Sequence, residues 1–332
     1  MRNVVLAIIG SGQIGSRHLQ SIARLDRDAE VYLVDPSEKS LDLALERYDQ
    51  IRDDNKHRFP KKNILLKEIK DLPHHIDLAI VATTAHNRLK IIGSLLERRT
   101  VNFLILEKVV FQKPDDFDTA QTLFEKSRVK VWVNCPRRYW PGYIHIRDII
   151  KKTSHSSTSM TVSGARWGLC SNTIHFLDLY AFITGIYDLD LRNETQDLDL
   201  VPAKRQDTIE MSGTIDGYHH QGGTIRIRDY HESDLPLQIT FENPSIRCII
   251  DERLDTIHIS GSHNSWNVEE IPLQTRVQSQ LTHTCIQEIL ETGNSRLPAF
   301  GESMITHKLL LNLLMDQLSR ITGKEASLCP IT

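Results

Sequence analysis

The string VVLAIIGSGQIG at residues 4–15 constrains this chain more than any other. Apolar residues run without interruption into glycines at positions 10, 12 and 15, and from Gln13 onward the apolar side chains recur at helical spacing. A short continuous Val/Ile/Leu run suits a strand buried on both faces, and such strands belong to parallel sheets covered by helices. The opening MRNVVLAIIG has the outline of a short signal peptide. Its apolar run is brief, however, and leads into the glycine turn instead of a small-residue cleavage site, so it reads as a first strand.

The pattern then repeats. Val4–Ile9, Val31–Asp35, Ile64–Leu66, Asp77–Thr83, Val101–Glu107 and Val129–Asn134 read as strands, with helices at Gln13–Arg24, Glu38–Tyr48, Asn87–Arg98 and Asp115–Lys126 between them. This alternation predicts a doubly wound α/β (Rossmann) domain over residues 1–134, with right-handed crossovers. Gln50–Asn63, densely charged and containing Pro60, reads as a solvated loop.

After Asn134 the texture changes, and Pro136, Pro141 and Gly142 mark a boundary. Residues 135–332 predict a second, α+β domain for substrate binding and self-association. Its helices fall at Tyr143–Lys152, Thr173–Thr184, Gln278–Thr292 and Glu302–Ile321. Strands at Thr158–Arg166, Thr208–Ile215, Thr224–Arg228, Leu237–Phe241, Arg247–Ile250 and Thr256–Ile259 are separated by Gly, Asn, Asp and His turns, which predicts a large, mainly antiparallel sheet.

Composition narrows the function classes. A net charge of −3 gives no reason to expect nucleic acid or an anionic membrane as the main partner. No apolar stretch approaches the roughly 20 residues of a membrane span; the most apolar, Ile174–Ile186, is broken by His175, Asp178 and Gly185. Cys135, Cys170, Cys248, Cys285 and Cys329 are scattered with no CxxC pair, which argues against a disulfide framework and a metal site and predicts a cytoplasmic protein with reduced thiols.

Gly10-Ser11-Gly12-Gln13-Ile14-Gly15 between strand and helix is the fingerprint of a dinucleotide site. Gly10 permits the tight turn, Gly12 lets the backbone approach a pyrophosphate, Gly15 allows close helix–strand packing, and the helix N-terminus stabilises the phosphate charge. Asp35 ends the second strand twenty residues past Gly15, where a carboxylate bonded to the ribose hydroxyls is expected. It would repel an extra phosphate, so NAD(H) is expected over NADP(H), with Lys39 nearby to soften the preference. Asp35 also reads as a plain turn residue before Pro36.

Two further strand ends face the same edge of the sheet: Thr83, Thr84 and His86 after the fourth strand, and Glu107-Lys108 closing the fifth. Burial and nearby positive charge would suit Lys108 to proton transfer. On pattern alone it reads equally as a surface lysine reaching past the sheet edge.

The GSGQIG turn, VATTAHN, LEKV, CPRRYWP and GLCSNTIHFLD occur in an order that resembles the Gfo/Idh/MocA oxidoreductases (glucose–fructose oxidoreductase and inositol dehydrogenase). The resemblance spans nearly the whole layout and is densest through Arg138. It implies that Glu107-Lys108 matches the first two positions of a Glu-Lys-Pro string, with Lys108 the catalytic acid/base or a direct support for it and Glu107 near the cofactor. It also implies that Ser171–His175 matches an Asp-x-Gly-x-His string, so His175 would face the substrate beside Lys108. Without the family context His175 reads as a core-helix histidine satisfied by Asp178. Val109 replaces the proline and Ser171 the aspartate. Arg137, Arg138 and Tyr139 align with an arginine/aromatic string near the substrate entry, and Arg166-Trp167, with Asn172, is a second candidate wall.

The expected activity is NAD(H)-dependent hydride transfer to or from a secondary alcohol or ketone of a sugar or nucleotide-sugar-like small molecule, in a homodimer or homotetramer as the family suggests. The missing aspartate motivates a rival, a non-catalytic NAD(H)-binding regulator or scaffold. A third reading keeps the enzyme class and takes an imine or unsaturated ring as substrate.

Overall fold

A computed structural model describes residues 3–54, 61–153, 157–203 and 205–332. The chain forms two compact units. The first comprises Met1–Phe111, Asp115–Pro136 and Arg276–Gly301, and the second Gln112–Pro114, Arg137–Thr275 and Glu302–Thr332.

The first unit alternates β1 (Val4–Ile9), α1 (Gln13–Ile22), β2 (Ala29–Val34), α2 (Glu38–Asp54), β3 (Lys61–Leu66), β4 (His75–Val81), α3 (Ala85–Arg98), β5 (Thr100–Leu106), α4 (Pro114–Ser127) and β6 (Lys130–Val133). The strands form one parallel sheet in the order β3-β2-β1-β4-β5-β6, the doubly wound order predicted. Strand order reverses between β1 and β4, so the crevice beyond their carboxyl ends is the topological switch point where such sheets bind ligands. Leu6–Ile9 and Leu78–Val81 are almost wholly buried, because helices cover both faces.

One expectation fails here. The charged stretch from Gln50 is helical through Asp54, not a loop; residues 55–60 lie outside the described residues. Leu41, Ala44 and Tyr48 keep an apolar stripe on the core at helical spacing, and charges on the other face are compatible with helix.

The second unit contains α5 (Pro141–Lys152), β7 (Ser159–Gly164), α6 (Leu169–Thr184), β8 (Asp190–Arg192), β9 (Asp199–Val201), β10 (Glu210–Tyr218), β11 (Thr224–Asp229), β12 (Gln238–Asn243), β13 (Ile246–Asp251), β14 (Thr256–Gly261) and β15 (Glu269–Pro272). A nine-stranded sheet runs β15-β14-β13-β12-β7-β11-β10-β8, with β9 on β10. Only β7–β11 pairs parallel. Met160, Val162, Ile225, Ile227, Ile239, Phe241, Ile257 and Ile259 are buried while Thr161, Arg226, Arg247 and His258 are exposed, the alternation of a sheet with one covered face. The short strands β8, β9 and β15 carry too few residues to show a period and went unread.

Two helices close the chain, α7 (Gln278–Thr292) and α8 (Phe300–Thr322). The division at residue 135 assigns both to the second domain, whereas the structure returns Arg276–Gly301 to the first unit. Two contacts explain the return. Ser21 Oγ accepts the His283 amide at 2.9 Å, and Phe300 packs between Phe117 and Phe124 at 5.9 and 4.8 Å. All five cysteines are buried and none forms a disulfide. Among the described residues no helix is long and apolar enough to cross a membrane.

Candidate functional site

The glycine turn occupies the switch point of the first unit. Gly10 has φ +95°, and a Cβ on it would sit 2.9 Å from the Ala82 carbonyl carbon and the Thr83 nitrogen. A Cβ on Gly15 would come within 1.8 Å of the Gly10 carbonyl oxygen, so α1 packs on β1 only because position 15 is bare. Gly12 differs, with nothing within 4 Å of the corresponding point. Gly12, Gln13 and Ile14 are exposed, and α1 begins without a side-chain cap. The turn thus presents open backbone N–H groups to whatever lies beyond it.

Two polar atoms around this turn lack partners. Ser11 Oγ and Thr83 Oγ1 are shielded from solvent and make no hydrogen bond among the described residues. Buried hydroxyls are normally satisfied, so they match a ligand carrying acceptors, as a dinucleotide's phosphates do. Asp35 stands at the end of β2, accepting the Ser11 amide at 2.8 Å and the Ser37 amide at 2.9 Å. With Gly10, Pro36, Ile69, Thr83 and Ile91 it lines a cleft of about 430 Å³ rimmed by Lys67, Lys70 and Arg98. These residues fit an adenine dinucleotide: an apolar floor, a fixed carboxylate and an anion-accepting turn. Thr84 and His86 begin α3 beside this cleft and are exposed.

Lys108 follows β5 and is half-buried. The segment around it is gripped by Arg88, which no sequence motif singles out. Its guanidinium is 1% exposed and donates to the carbonyls of Glu107 at 2.6 Å and Val110 at 2.9 Å, and also to those of Val109 and Thr83. One side chain therefore ties the loop after β4 to the loop after β5. Burial pulls Arg88 down to about 10, partly offset by Glu107, which leaves it charged near neutrality. The signal was present: Arg88, Ile92 and Leu95 form the buried stripe of α3, and an arginine there needs a partner.

Glu107, expected beside the cofactor, is 7% exposed and turned into a polar network. Its Oε1 accepts from His18 Nε2 at 2.8 Å and from Asn134 Nδ2 at 2.5 Å. Burial alone would raise its carboxyl, but His18, Asn134 and Arg88 outweigh that and hold it below the usual range.

In the second unit α6 carries Asn172 and His175, and a Gly168 in the left-handed region heads the helix. Asp229 accepts the amides of Arg166 at 3.2 Å and Trp167 at 2.9 Å and pins the loop before it. Asn172 Nδ2 donates to the Trp167 carbonyl at 2.7 Å. Trp167 and Asn172, with Arg166, Ser171, Arg205 and Glu210, line a cleft of about 360 Å³. The carboxylate missing at Ser171 has a neighbour from elsewhere in the chain: Glu210 of β10 accepts the Ser171 hydroxyl at 3.1 Å and the Cys170 amide. Thirty-nine residues separate Ser171 from Glu210, so no local pattern could have revealed the pairing.

The arginine string is spent on carboxylates. Arg137 binds Glu252 through two bonds of 2.6 and 2.7 Å. Arg138, 5% exposed, makes three bonds of 2.7–3.1 Å to Asp178 and one of 3.2 Å to Glu302. Tyr139 is 3% exposed. The Asp178 expected to satisfy His175 thus serves Arg138. His175 itself is half-buried. Asp188, His219 and His220 place donor atoms within 4.8 Å of one another. However, His219 Nδ1 accepts the Gln221 amide at 3.3 Å, which puts the neutral ring's proton on Nε2, facing Asp188 at 3.5 Å. That is a histidine–carboxylate contact, not a vacant ligand set.

Residues 4–135 match the model of the oxidoreductase family with the NAD-binding Rossmann fold, GFO_IDH_MocA. No curated protein matches the chain by sequence. Among solved structures the fold is shared with levoglucosan dehydrogenase in complex with NADH and levoglucosan (12% identity, 96% of this chain and 98% of that one, TM-score 0.70). UDP-N-acetylglucosamine 3-dehydrogenase GnnA from Acidithiobacillus ferrooxidans is similar over 98% and 99% at 15% identity, TM-score 0.67. The super-repressor mutant of Gal80p from Saccharomyces cerevisiae is similar over 98% of both chains at 12% identity, TM-score 0.73.

Proposed function

We propose, for a chain whose dinucleotide-binding domain belongs to the Gfo/Idh/MocA oxidoreductases, reversible hydride transfer between NAD(H) and a secondary alcohol or ketone of a sugar-like substrate. The open turn at Gly12 with the two orphaned hydroxyls, Ser11 and Thr83, carries the reading. The bound cofactor supplies the hydride. The chain's own residues do the rest. Gly12, Gln13 and Ile14 hold the pyrophosphate by backbone amides, and Asp35 takes the ribose hydroxyls, which favours NAD(H) over NADP(H). Lys108 gives or takes the hydroxyl proton, with His175 as a second acid–base group. Trp167 and Asn172 contact substrate, and the rim guanidinium groups of Arg166 and Arg205 suit a phosphorylated, nucleotide-linked or carboxylated sugar. The sugar dehydrogenases among the similar folds point the same way.

The test is NADH absorbance against free, phosphorylated and nucleotide-linked sugars in both directions. Lys108→Ala should cut turnover at least about a hundredfold with NADH binding little changed; near-normal turnover removes Lys108 from the mechanism. A second reading, a non-catalytic NAD(H)-binding regulator, draws on Ser171 in place of the aspartate and on the Gal80p likeness. It prevails if NADH binds tightly and no sugar, alditol, imine or nucleotide sugar turns over. Light scattering on the eluting protein tests the homodimer or homotetramer expected from the family.

A further inference from the structure

We propose that His18 is a positioning residue for Lys108, acting through Glu107; this rests on Lys108 being the proton-transfer group. His18 lies on α1, the helix that opens at the glycine turn, and is 1% exposed. Its ring bonds on both sides: Nε2 to Glu107 Oε1 at 2.8 Å and Nδ1 to Thr282 Oγ1 at 2.8 Å. The Thr282 hydroxyl donates to the Gln278 carbonyl at 3.2 Å and receives Gln278 Nε2 at 2.7 Å. Gln278 Nε2 also meets His18 Nδ1, at 3.4 Å. Asn134 closes the ring of contacts, donating to Glu107 at 2.5 Å and to Gln278 Oε1 at 2.8 Å.

The network has a consequence for Lys108. A lysine has four rotatable side-chain bonds, so where its ammonium reaches depends on where its backbone anchor is held. Here the neighbouring residue is fixed twice. His18 and Asn134 hold the Glu107 carboxylate, and Arg88 holds the Glu107 carbonyl. The same helix that presents amides to the pyrophosphate thus sets the base from which Lys108 extends. A satisfied buried network of this kind holds one geometry, because each broken bond leaves a polar group unpaired. Purely structural packing would not need a histidine here; an apolar residue would fill the same stripe with Leu19 and Ile22.

The test reads Lys108 itself and needs no substrate. Reductive methylation with 13C-formaldehyde gives each lysine a dimethyl cross-peak that keeps its charge, and Lys108→Arg identifies the one belonging to position 108. His18→Leu should move or broaden that peak, and His18→Gln, which retains a donor toward Glu107, should largely restore it. NADH affinity, read by fluorescence, should change less than about threefold, a difference below 1 kcal/mol. If His18→Leu does not fold, Thr282→Val, which removes the hydroxyl partner of Nδ1 at nearly constant shape, should displace the peak in the same direction. An unmoved Lys108 peak in a folded variant, with only the melting temperature lowered, overturns the proposal. The turnover of Lys108→Ala judges the underlying role of Lys108 separately.

Discussion

Arg138 is expected from its motif to meet substrate, yet the structure buries it against Asp178, and substitution distinguishes the two roles. Arg138→Leu removes three bonds to Asp178 and one to Glu302. It leaves the Asp178 carboxylate, 3% exposed, without its cation. Stranding one member of a buried pair costs about 3–5 kcal/mol. For a unit of this size about 2–4 °C accompanies each kcal/mol, so the melting point of the second unit should fall by about 6–20 °C. Glu302 adds little, since its side chain is 42% exposed and water replaces the arginine. The paired replacement Arg138→Leu with Asp178→Leu removes both charges, and apolar substitution of a buried pair is often neutral. It should recover stability to within about 1–2 kcal/mol of the parent. Differential scanning calorimetry of the parent, both single variants and the double variant gives the full cycle. An Arg138→Leu variant within about 1 kcal/mol of the parent, or a double variant no better than the worse single, would refute the reasoning.

Four further outcomes follow from the geometry. Gly12→Ala meets nothing within 4 Å, so it should melt within about 0.5 kcal/mol of the parent and yet lose NADH affinity. Gly15→Ala collides with the Gly10 carbonyl and should lower stability by about 1–3 kcal/mol in the same calorimeter. Asp35→Asn removes the charge at the end of β2 and should improve NADPH relative to NADH by about tenfold, or 1.4 kcal/mol, in fluorescence titrations; an unchanged ratio would clear Asp35 of cofactor choice. Burial, with Arg24 and Arg276, pulls His283 from 6.5 down to about 4. Its folded form resists protonation, so its stabilisation is complete above 6.5 and is lost as pH falls toward about 4. Melting curves across that range should slope less in His283→Asn than in the parent.

Much of the first unit was legible because its signals are local. An apolar run flanked by a glycine turn and a helical stripe names its own conformation, and β1 falls at Val4–Ile9 as read. The same holds for α7 at Gln278–Thr292. Arg88 and His18 were legible in principle, since each interrupts an apolar helical stripe and a buried polar group on such a face must have a partner.

The sequence by itself determined most of the segments that fold as strands and helices and the parallel sheet with its switch-point turn. Those properties depend on period, glycine spacing and residue chemistry over a few neighbouring positions. Tertiary structure alone decided that Arg276–Gly301 returns to the first unit, that Arg138 is spent on Asp178, and that Glu210 supplies a carboxylate beside Ser171. In each case the partners lie tens to hundreds of residues apart, and which groups meet is settled by how the apolar faces pack.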